Sequence, residues 1–224
     1  MDKVMWLGHD GFVITGEKRI YIDPYNIPEG MDPADIILIT HEHYDHCSIK
    51  DIMSIADSHT DILVTPDCQS KLSDFPGNVT LVEPNKDYNP QGIKVRSVRA
   101  YNTDKRFHPK DNDWVGYIIE MDGRRIYHAG DTDLIPEMDH IHNIDIALLP
   151  VSGTFVMNPV EAAKAASMIK PRLAVPMHWG EVVGNVSDAE AFAKAYGGEV
   201  EIPQKTTTDA ESSATDQEDE SHQD

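Results

Sequence analysis

The sequence predicts an α/β fold, an αββα sandwich in which two mixed β-sheets stack and helices flank them. The chain has 224 residues, 40% of them hydrophobic, which is enough for one compact domain with a sizeable core. Apolar runs of strand length recur along the whole sequence. Both halves combine several predicted strands with helical patterns, and this order is typical of two sheets with helices outside.

The first half of the chain is predicted to be mainly β-structure. Ile36–Thr40 is a continuous apolar run, as expected of a strand that is covered on both faces. Ser48–Ala56 carries helical periodicity, and Pro66–Leu72 predicts a short helix. The other predicted strands of this half are Lys3–Leu7, Phe12–Thr15, Arg19–Ile22, Ile62–Thr65, Val79–Val82 and Ile93–Val98.

The second half alternates strands and helices. Trp114–Met121 and Arg125–His128 flank Asp122-Gly123, a good tight-turn dipeptide, and predict a hairpin. Ile144–Leu149 and Leu173–Met177 are predicted buried strands.

Two capping patterns predict where the helices of this half begin. Asn158, Pro159 and Glu161 fit the N-cap, first and third positions of a helix that ends near Lys170. The segment Ser187-Asp188-Ala189-Glu190 fits a second capping box, opening a helix to about Tyr196.

Composition divides the chain into residues 1–203, predicted as the folded domain, and residues 204–224, predicted as a disordered acidic tail. The tail has almost no apolar residues and cannot bury enough surface to offset its ordering entropy. It holds seven acidic residues and one lysine, so about −6 of the formal charge of −20 is local to it. An acidic body argues against nucleic acid or an anionic membrane as the main partner.

Two cysteines, Cys47 and Cys68, exclude a disulfide framework and favour a reducing cytoplasm. The amino-terminal residues lack the basic and apolar regions of a signal peptide, so none is expected. The longest apolar runs are strand-sized and far shorter than the roughly 20 residues of a membrane span. The sequence leaves the oligomeric state open.

The segment His41-Glu42-His43-Tyr44-Asp45-His46 carries the chemistry of the sequence. It follows a buried strand directly, and in extended backbone the two-residue spacing of His41 and His43 puts both imidazoles on one side. Imidazole and carboxylate are typical ligands of zinc and similar ions. Grouping four such side chains is costly without a cation, so the segment predicts a metal site.

This segment resembles the signature of the metallo-β-lactamase superfamily, His-x-His-x-Asp-His after a core strand. Ile22-Asp23-Pro24, the Gly-Asp-Thr segment at 130–132 and Pro176-Met177-His178 resemble further motifs of that family. Together with Gly8-His9, they resemble in particular a branch of metal-dependent hydrolases grouped with ascorbate-6-phosphate lactonase. The resemblance spans about residues 3–200 and implies a metallo-hydrolase domain.

The resemblance implies two divalent metal ions, with zinc expected and manganese or iron as alternatives. Carried over residue by residue, His41 and His43 would bind the first metal. Asp45, His46 and His178 would bind the second metal, and Asp131 would bridge the two. Asp23 would orient a ligand histidine through its other ring N–H.

One position departs from the family pattern. The family usually has a further histidine shortly after the mid-chain strand, where this chain reads Val98-Arg99-Ala100-Tyr101-Asn102. The next histidine is His108, which a loop could bring to the first metal. His128 is expected to support a ligand residue or the fold. His9 is a candidate for contact with the substrate or with a residue that supports a ligand, and a turn histidine is the alternative.

The implied reaction is attack of a metal-bound hydroxide on an ester, a lactone or a phosphoester of a small-molecule substrate, with Asp45 orienting the nucleophile and shuttling a proton. A cluster of basic residues beside the predicted site makes an anionic substrate one alternative. A solvated surface loop and a docking site for the acidic tail are the others. The cluster consists of Arg96, Arg99, Lys105, Arg106 and Lys110, of which Lys105, Arg106 and Lys110 are predicted to bind substrate with His9. The segment 153–157 is a candidate apolar substrate wall.

Two other functions fit the same residues. One is a di-iron oxidoreductase, although residue 43 is His where those proteins have Glu. The other is a non-catalytic binding module that the metals stabilise, against which the intact ligand set argues.

Overall fold

Two six-stranded β-sheets form the protein in the computed structural model, which describes residues 3–206. The first sheet contains, in spatial order, β1 (Val4–Gly8), β2 (Gly11–Thr15), β3 (Arg19–Ile22), β4 (Ile36–Leu38), β5 (Asp61–Val64) and β6 (Asn78–Leu81). The second contains, in chain order, β7 (Asp87–Tyr88), β8 (Lys94–Arg99), β9 (Val115–Met121), β10 (Arg124–His128), β11 (Ile146–Pro150) and β12 (Leu173–Met177). Each half of the chain therefore builds one sheet.

Both sheets are mixed, as predicted. In the first sheet β1, β2 and β3 are antiparallel neighbours, and β3 to β6 run parallel. In the second, β7 to β10 are antiparallel neighbours, and β10 to β12 run parallel. It follows that β1, β3 and β4 point the same way in the first sheet, as do β8, β10, β11 and β12 in the second.

The main hydrophobic core joins the two sheets and extends beneath α2 (Pro159–Ile169) and α3 (Val186–Tyr196). A second cluster packs α1 (Ile49–Ile55) against the first sheet. Tyr117 is fully buried, and its hydroxyl donates a 2.7 Å hydrogen bond to the carbonyl of Ile39. This bond ties β9 of the second sheet to the segment that leads into the histidine motif.

Of the two predicted helix N-caps, one is confirmed and one is wrong. Asn158 caps α2 as predicted, and its Oδ1 accepts from the backbone N–H of Val160 and Glu161. The predicted N-cap of α3, Ser187, is wrong, because Asn185 caps the helix and Asp188 completes its capping box. Asn185 accepts the Ser187 N–H at 2.9 Å, so the helix begins two residues earlier.

The carboxyl-terminal boundary also differs from the prediction. Lys205 and Thr206 belong to the predicted tail, yet Lys205 forms a β-bridge with Trp6, and the Thr206 N–H donates to the Trp6 carbonyl at 2.8 Å. The rest of that tail, residues 207–224, lies outside the described residues. Among residues 3–206, no helix combines the length and apolarity that crossing a membrane requires.

Candidate metal centre

The candidate site lies where strands of the two sheets end. His9 follows β1, Asp23 follows β3 and the histidine motif follows β4. From the second sheet, the loop carrying His108 follows β8, and Asp131 and His178 come after β10 and β12. Within each sheet these strands share one direction, so their carboxyl ends meet at one edge, where α/β folds commonly bind ligands.

Three imidazoles form the first group. One ring nitrogen each from His41, His43 and His108 lie within 4.8 Å of one another, and His41 Nε2 is 3.0 Å from His43 Nδ1. The other nitrogen of His41 is 2.9 Å from Thr40 Oγ1. His108 Nδ1 lies 3.1 Å from Asn102 Oδ1, which fixes the ring so that Nε2 faces the group. This chain lacks the histidine that the family usually has after the mid-chain strand. The loop instead brings His108 next to His41 and His43.

A second group contains His9, His46 and His178. His46 Nδ1 donates to Asp23 Oδ2 at 2.8 Å, and Asp23 also accepts from the backbone N–H and the hydroxyl of Thr40. His178 Nδ1 is 2.8 Å from Ser152 Oγ. Asp23 therefore stands where the sequence predicts it, behind a histidine of the motif.

Asp45 and His9 lie in contact beside the second group. His9 is fully buried and belongs to this group. Asp45 Oδ2 lies 3.1 Å from His9 Nε2 and 4.0 Å from His46 Nε2. The backbone at His9 is left-handed, with φ of 48°, and this uncommon conformation allows the turn after β1 to enter the site.

Asp131 lies between the two groups. Its Oδ2 is 3.0 Å from His108 Nε2 and 3.2 Å from His178 Nε2, and 4.0 Å from His41 Nε2. Its Oδ1 is 3.6 Å from His46 Nε2. One carboxylate thus faces nitrogens of both groups, the placement that a bridging ligand requires. Asp10 joins His46, Asp131 and His178 in a further set of donors that the sequence did not single out.

The buried donors fit divalent cations. His46 Nε2 and Asp131 Oδ1 form no hydrogen bond with any described residue, although both are buried. His108 Nε2 lies 3.0 Å from Asp131 but in a direction that makes no hydrogen bond. Burying polar atoms without partners is costly, whereas cations that accept lone pairs from these atoms remove the cost. Nitrogen and carboxylate donors suit zinc, manganese and iron.

The lowered pKa values of three imidazoles agree with this assignment. The pKa of His46 does not, since burial lowers it but Asp131 and Asp23 outweigh burial and raise it well above the usual value. Burial, together with the nearby imidazole of His46, holds the pKa of His41 well below its usual value, and burial also lowers the pKa of His43 and His9. These imidazoles are therefore neutral near pH 7, the form that binds metal. Burial alone raises the pKa of Asp131, but His178, His46 and His108 outweigh it and hold that pKa well below its usual range.

Several supporting residues escaped the sequence analysis. Asp133 is buried and accepts from Asn102 Nδ2, the Thr103 backbone N–H and Lys105 Nζ at 3.1, 2.8 and 2.7 Å. Asn102 in turn accepts the His108 backbone N–H at 3.0 Å. An Asn and an Asp some 30 residues apart have no local pattern that predicts this pairing.

A cavity of about 220 Å³ opens above the metal-binding groups. Its walls combine donors of the candidate centre with apolar side chains. The lining residues are His43, Tyr44, Asp45, Phe107, His108, Asp131, Phe155, His178 and Val182. Phe155 comes from the segment predicted as an apolar wall.

The three predicted basic substrate contacts do not line this cavity. Lys105 binds Asp133 and Asp104, and Lys110 binds Glu137, so both ammonium groups have carboxylate partners. Arg106 is exposed, and no hydrogen bond or ion pair joins its side chain to another residue within 3–206. The structure does not bring these three side chains together with the metal ligands.

Comparison with known proteins gives the same picture as the geometry. A profile described as the Beta-lactamase superfamily domain matches residues 3–178. A protein of Thermococcus onnurineus named UPF0173 metal-dependent hydrolase is 38% identical over 218 residues, covering 90% of this chain and 95% of its own.

Solved structures show the same fold. A candidate metal-dependent hydrolase from Parabacteroides distasonis is 33% identical, with a TM-score of 0.79 over 91% of this chain and 93% of its own. CmlA of Streptomyces venezuelae, a diiron β-hydroxylase, is 15% identical with a TM-score of 0.68 over 89% of this chain and 52% of its own, a likeness of fold alone. The motif at 41–46, the two-sheet fold and these matches agree, and the chain belongs to the metallo-β-lactamase superfamily, within its UPF0173 metal-dependent hydrolases.

Proposed function

We propose that the protein hydrolyses a small ester, lactone or phosphoester with two divalent cations held at this centre. The observation that carries the proposal is the position of Asp131 between two groups of imidazole nitrogens. The sequence relatives named as metal-dependent hydrolases support it.

The ligand assignment follows the two groups. His41, His43 and His108 would hold one cation, and His46 and His178 would hold the other, with Asp45 or His9 completing its shell. Asp131 would contact both. Zinc is the expected metal, because three histidines around one point form a site that zinc commonly occupies. The two buried free cysteines support a reducing cytoplasm as the site of action.

Bound cations would lower the pKa of a coordinated water and stabilise the oxyanion that develops during hydrolysis. Asp45 would orient the attacking water. Burial raises the pKa of Asp45, but the hydrogen bond to His9 and the positive potential of His46 outweigh it and give a pKa of about 2. The carboxylate is therefore ionised near pH 7, and the contact with His9 fixes its orientation towards the centre.

Metal analysis of the purified protein and a panel of esters, lactones and phosphodiesters test this proposal. We expect about two cations per chain and hydrolysis that chelator abolishes and added zinc restores. His41→Ala and Asp131→Ala should abolish hydrolysis and keep the circular dichroism spectrum of the wild type. Wild-type turnover in either variant would contradict the assignment, and bound iron with redox activity would favour an oxidoreductase.

A further inference from the structure

We infer that the substrate carries one uncharged apolar group of about single-ring size beside the bond that is hydrolysed. This inference rests on the proposed hydrolytic function and names the substrate class of the same site. Three features of the cavity support it: its apolar wall, the absence of Lys and Arg among the described residues that line it, and its size.

The apolar wall is concentrated at this one place. Eight large hydrophobic side chains are exposed in the described part of the chain, and three of them, Tyr44, Phe107 and Val182, line this cavity. Single exposed hydrophobic residues need no explanation, but a cluster beside a candidate active site marks a binding surface. Phe155 extends it by packing edge-on against Phe107, with ring centroids 4.8 Å apart.

The wall is held rigidly next to the metal ligands. The Phe155 carbonyl accepts a 2.8 Å hydrogen bond from Asn102 and lies 3.2 Å from His108 Nδ1. Phe107 precedes His108 in the same loop. One network therefore positions both a ligand imidazole and the two aromatic rings, so that a bound apolar group lies at a fixed distance from the reacting bond.

Val182 also lines the cavity. It is 49% exposed and has a left-handed backbone with φ of 60°, a conformation that β-branched residues rarely adopt. The Val183 N–H closes the turn by donating to the Glu181 carbonyl at 2.5 Å. Strained residues of this kind persist where the surrounding structure enforces them, and they concentrate at ligand sites.

The charges around the cavity favour an uncharged substituent on the substrate. No Lys or Arg among the described residues lines it, and its formally charged side chains, apart from histidines, are Asp45 and Asp131. Burying a charged group without an oppositely charged partner is costly. Since Lys105 and Lys110 bind carboxylates, the cavity suits an uncharged substituent better than an anionic one.

The volume sets the size of the substituent. An apolar cavity of about 150 Å³ is large enough for benzene. The cavity of about 220 Å³ can therefore hold one ring together with a short acyl group.

Three acetate esters with the same reacting bond test the inference: benzyl acetate, ethyl acetate and 4-(acetoxymethyl)benzoate. With the metal-loaded protein we expect kcat/KM for benzyl acetate to exceed that for ethyl acetate by about tenfold or more, because the apolar wall buries the ring. It should exceed that for 4-(acetoxymethyl)benzoate by about tenfold or more as well, because the wall offers the carboxylate no cationic partner. Phe107→Ala and Phe155→Ala should each raise KM for benzyl acetate by about fivefold or more and change KM for ethyl acetate by less than about twofold. Val160→Ala, an exposed apolar truncation on α2, is the matched control.

Preference for 4-(acetoxymethyl)benzoate, with a KM that rises in Arg106→Ala, would overturn the inference and leave hydrolysis intact. Binding of benzyl alcohol to the metal-free protein, followed by saturation-transfer NMR, separates the two proposals. Binding that Phe107→Ala weakens, while no ester, lactone or phosphodiester of the panel is hydrolysed, would support the apolar site and overturn the hydrolytic function. Equal binding to the wild type and Phe107→Ala would overturn the inference itself.

Discussion

Asp23 shows at the scale of one residue how the site is built. Its two oxygens accept three hydrogen bonds, two from Thr40 and one from His46. A carboxylate behind a ligand imidazole fixes the ring and raises its basicity. The same side chain therefore fixes the backbone at Thr40, directly before the motif, and orients His46, the last histidine of the motif.

We predict that Asp23→Asn weakens metal binding by about 10–100-fold, the usual effect of losing such a partner. The amide places an N–H₂ against donors, so His46 loses its acceptor or turns. Isothermal titration of the metal-free protein with zinc measures the change. Asp87→Asn, an exposed carboxylate that pairs with Arg96, is the control. Equal zinc affinity in Asp23→Asn and the wild type would contradict the role assigned to Asp23.

Single residues were predictable from sequence where the spacing itself carries the geometry. The motif at 41–46, Asp131 and His178 meet as the sequence predicts, since each follows a strand end. The contact between His9 and Asp45 was not predicted, because it depends on the left-handed backbone at His9, which turns the ring inward. Such a conformation depends on packing and leaves no mark in a single sequence.

At the scale of elements, the loop after β8 is a structural unit in its own right. Asp133, which lies outside the loop, accepts hydrogen bonds from Asn102, Thr103 and Lys105 of the loop. Asn102 in turn accepts from the His108 backbone N–H. Lys105 thus helps to hold the loop through its ion pair with Asp133, whose carboxylate is buried.

We expect Asp133→Ala to lower the free energy of unfolding by about 1–3 kcal/mol, because buried donors lose their acceptor. The loop should loosen and weaken metal binding at the group that contains His108. Urea denaturation and zinc titration measure the two effects. Asp139→Ala, an exposed carboxylate in a nearby turn, controls for the loss of charge. A variant as stable as the wild type with full zinc affinity would rule out this function of the network.

The start of α3 offers a second test at this scale. Replacing the observed cap, Asn185→Ala, should cost about 1 kcal/mol of stability, the usual value of an N-cap. Ser187→Ala, at the position that the sequence favoured, should cost less, since Ser187 is already inside the helix. Thermal unfolding of both variants measures the difference. A larger loss in Ser187→Ala would move the cap to the predicted residue.

Elements with strong local signals were predicted well. The cores of most strands and the start of α2 agree with the sequence, because hydrophobic periodicity and capping chemistry are local. The two-residue strand β7 was missed, since it exists only through pairing with β8. The wrong cap of α3 has a similar origin, because Asn185 and Ser187 head equally good capping patterns.

For the whole molecule, bound metal should contribute strongly to stability. Ligands that bind only the folded state stabilise it by about 4 kcal/mol at a free concentration 1,000 times Kd. Removing metal with a chelator should therefore lower Tm, and adding zinc back should restore it in a concentration-dependent way. Scanning calorimetry of the wild type and Asp131→Ala measures this. A metal-independent Tm in the wild type would contradict coupling between metal binding and the fold.

The two-sheet architecture was predictable from the alternation of strands and helices, but the strand order was not. In both halves, strands that are consecutive in the chain pair with each other. Whether each pair is parallel or antiparallel then decides which loops lie at the same edge of the sheet. That choice depends on long-range pairing, for which a single sequence carries little information.

Each group of candidate ligands takes members from both sheets: His108 completes one, and His178 completes the other. Since residues before β7 form one sheet and residues from β7 onward form the other, neither half can assemble a complete centre by itself. The ligand set of the centre is therefore complete only when the two sheets have packed against each other correctly. Tight metal binding by this chain thus indicates that folding is complete. A molecule whose sheets pack incorrectly lacks part of the ligand set and should bind metal more weakly.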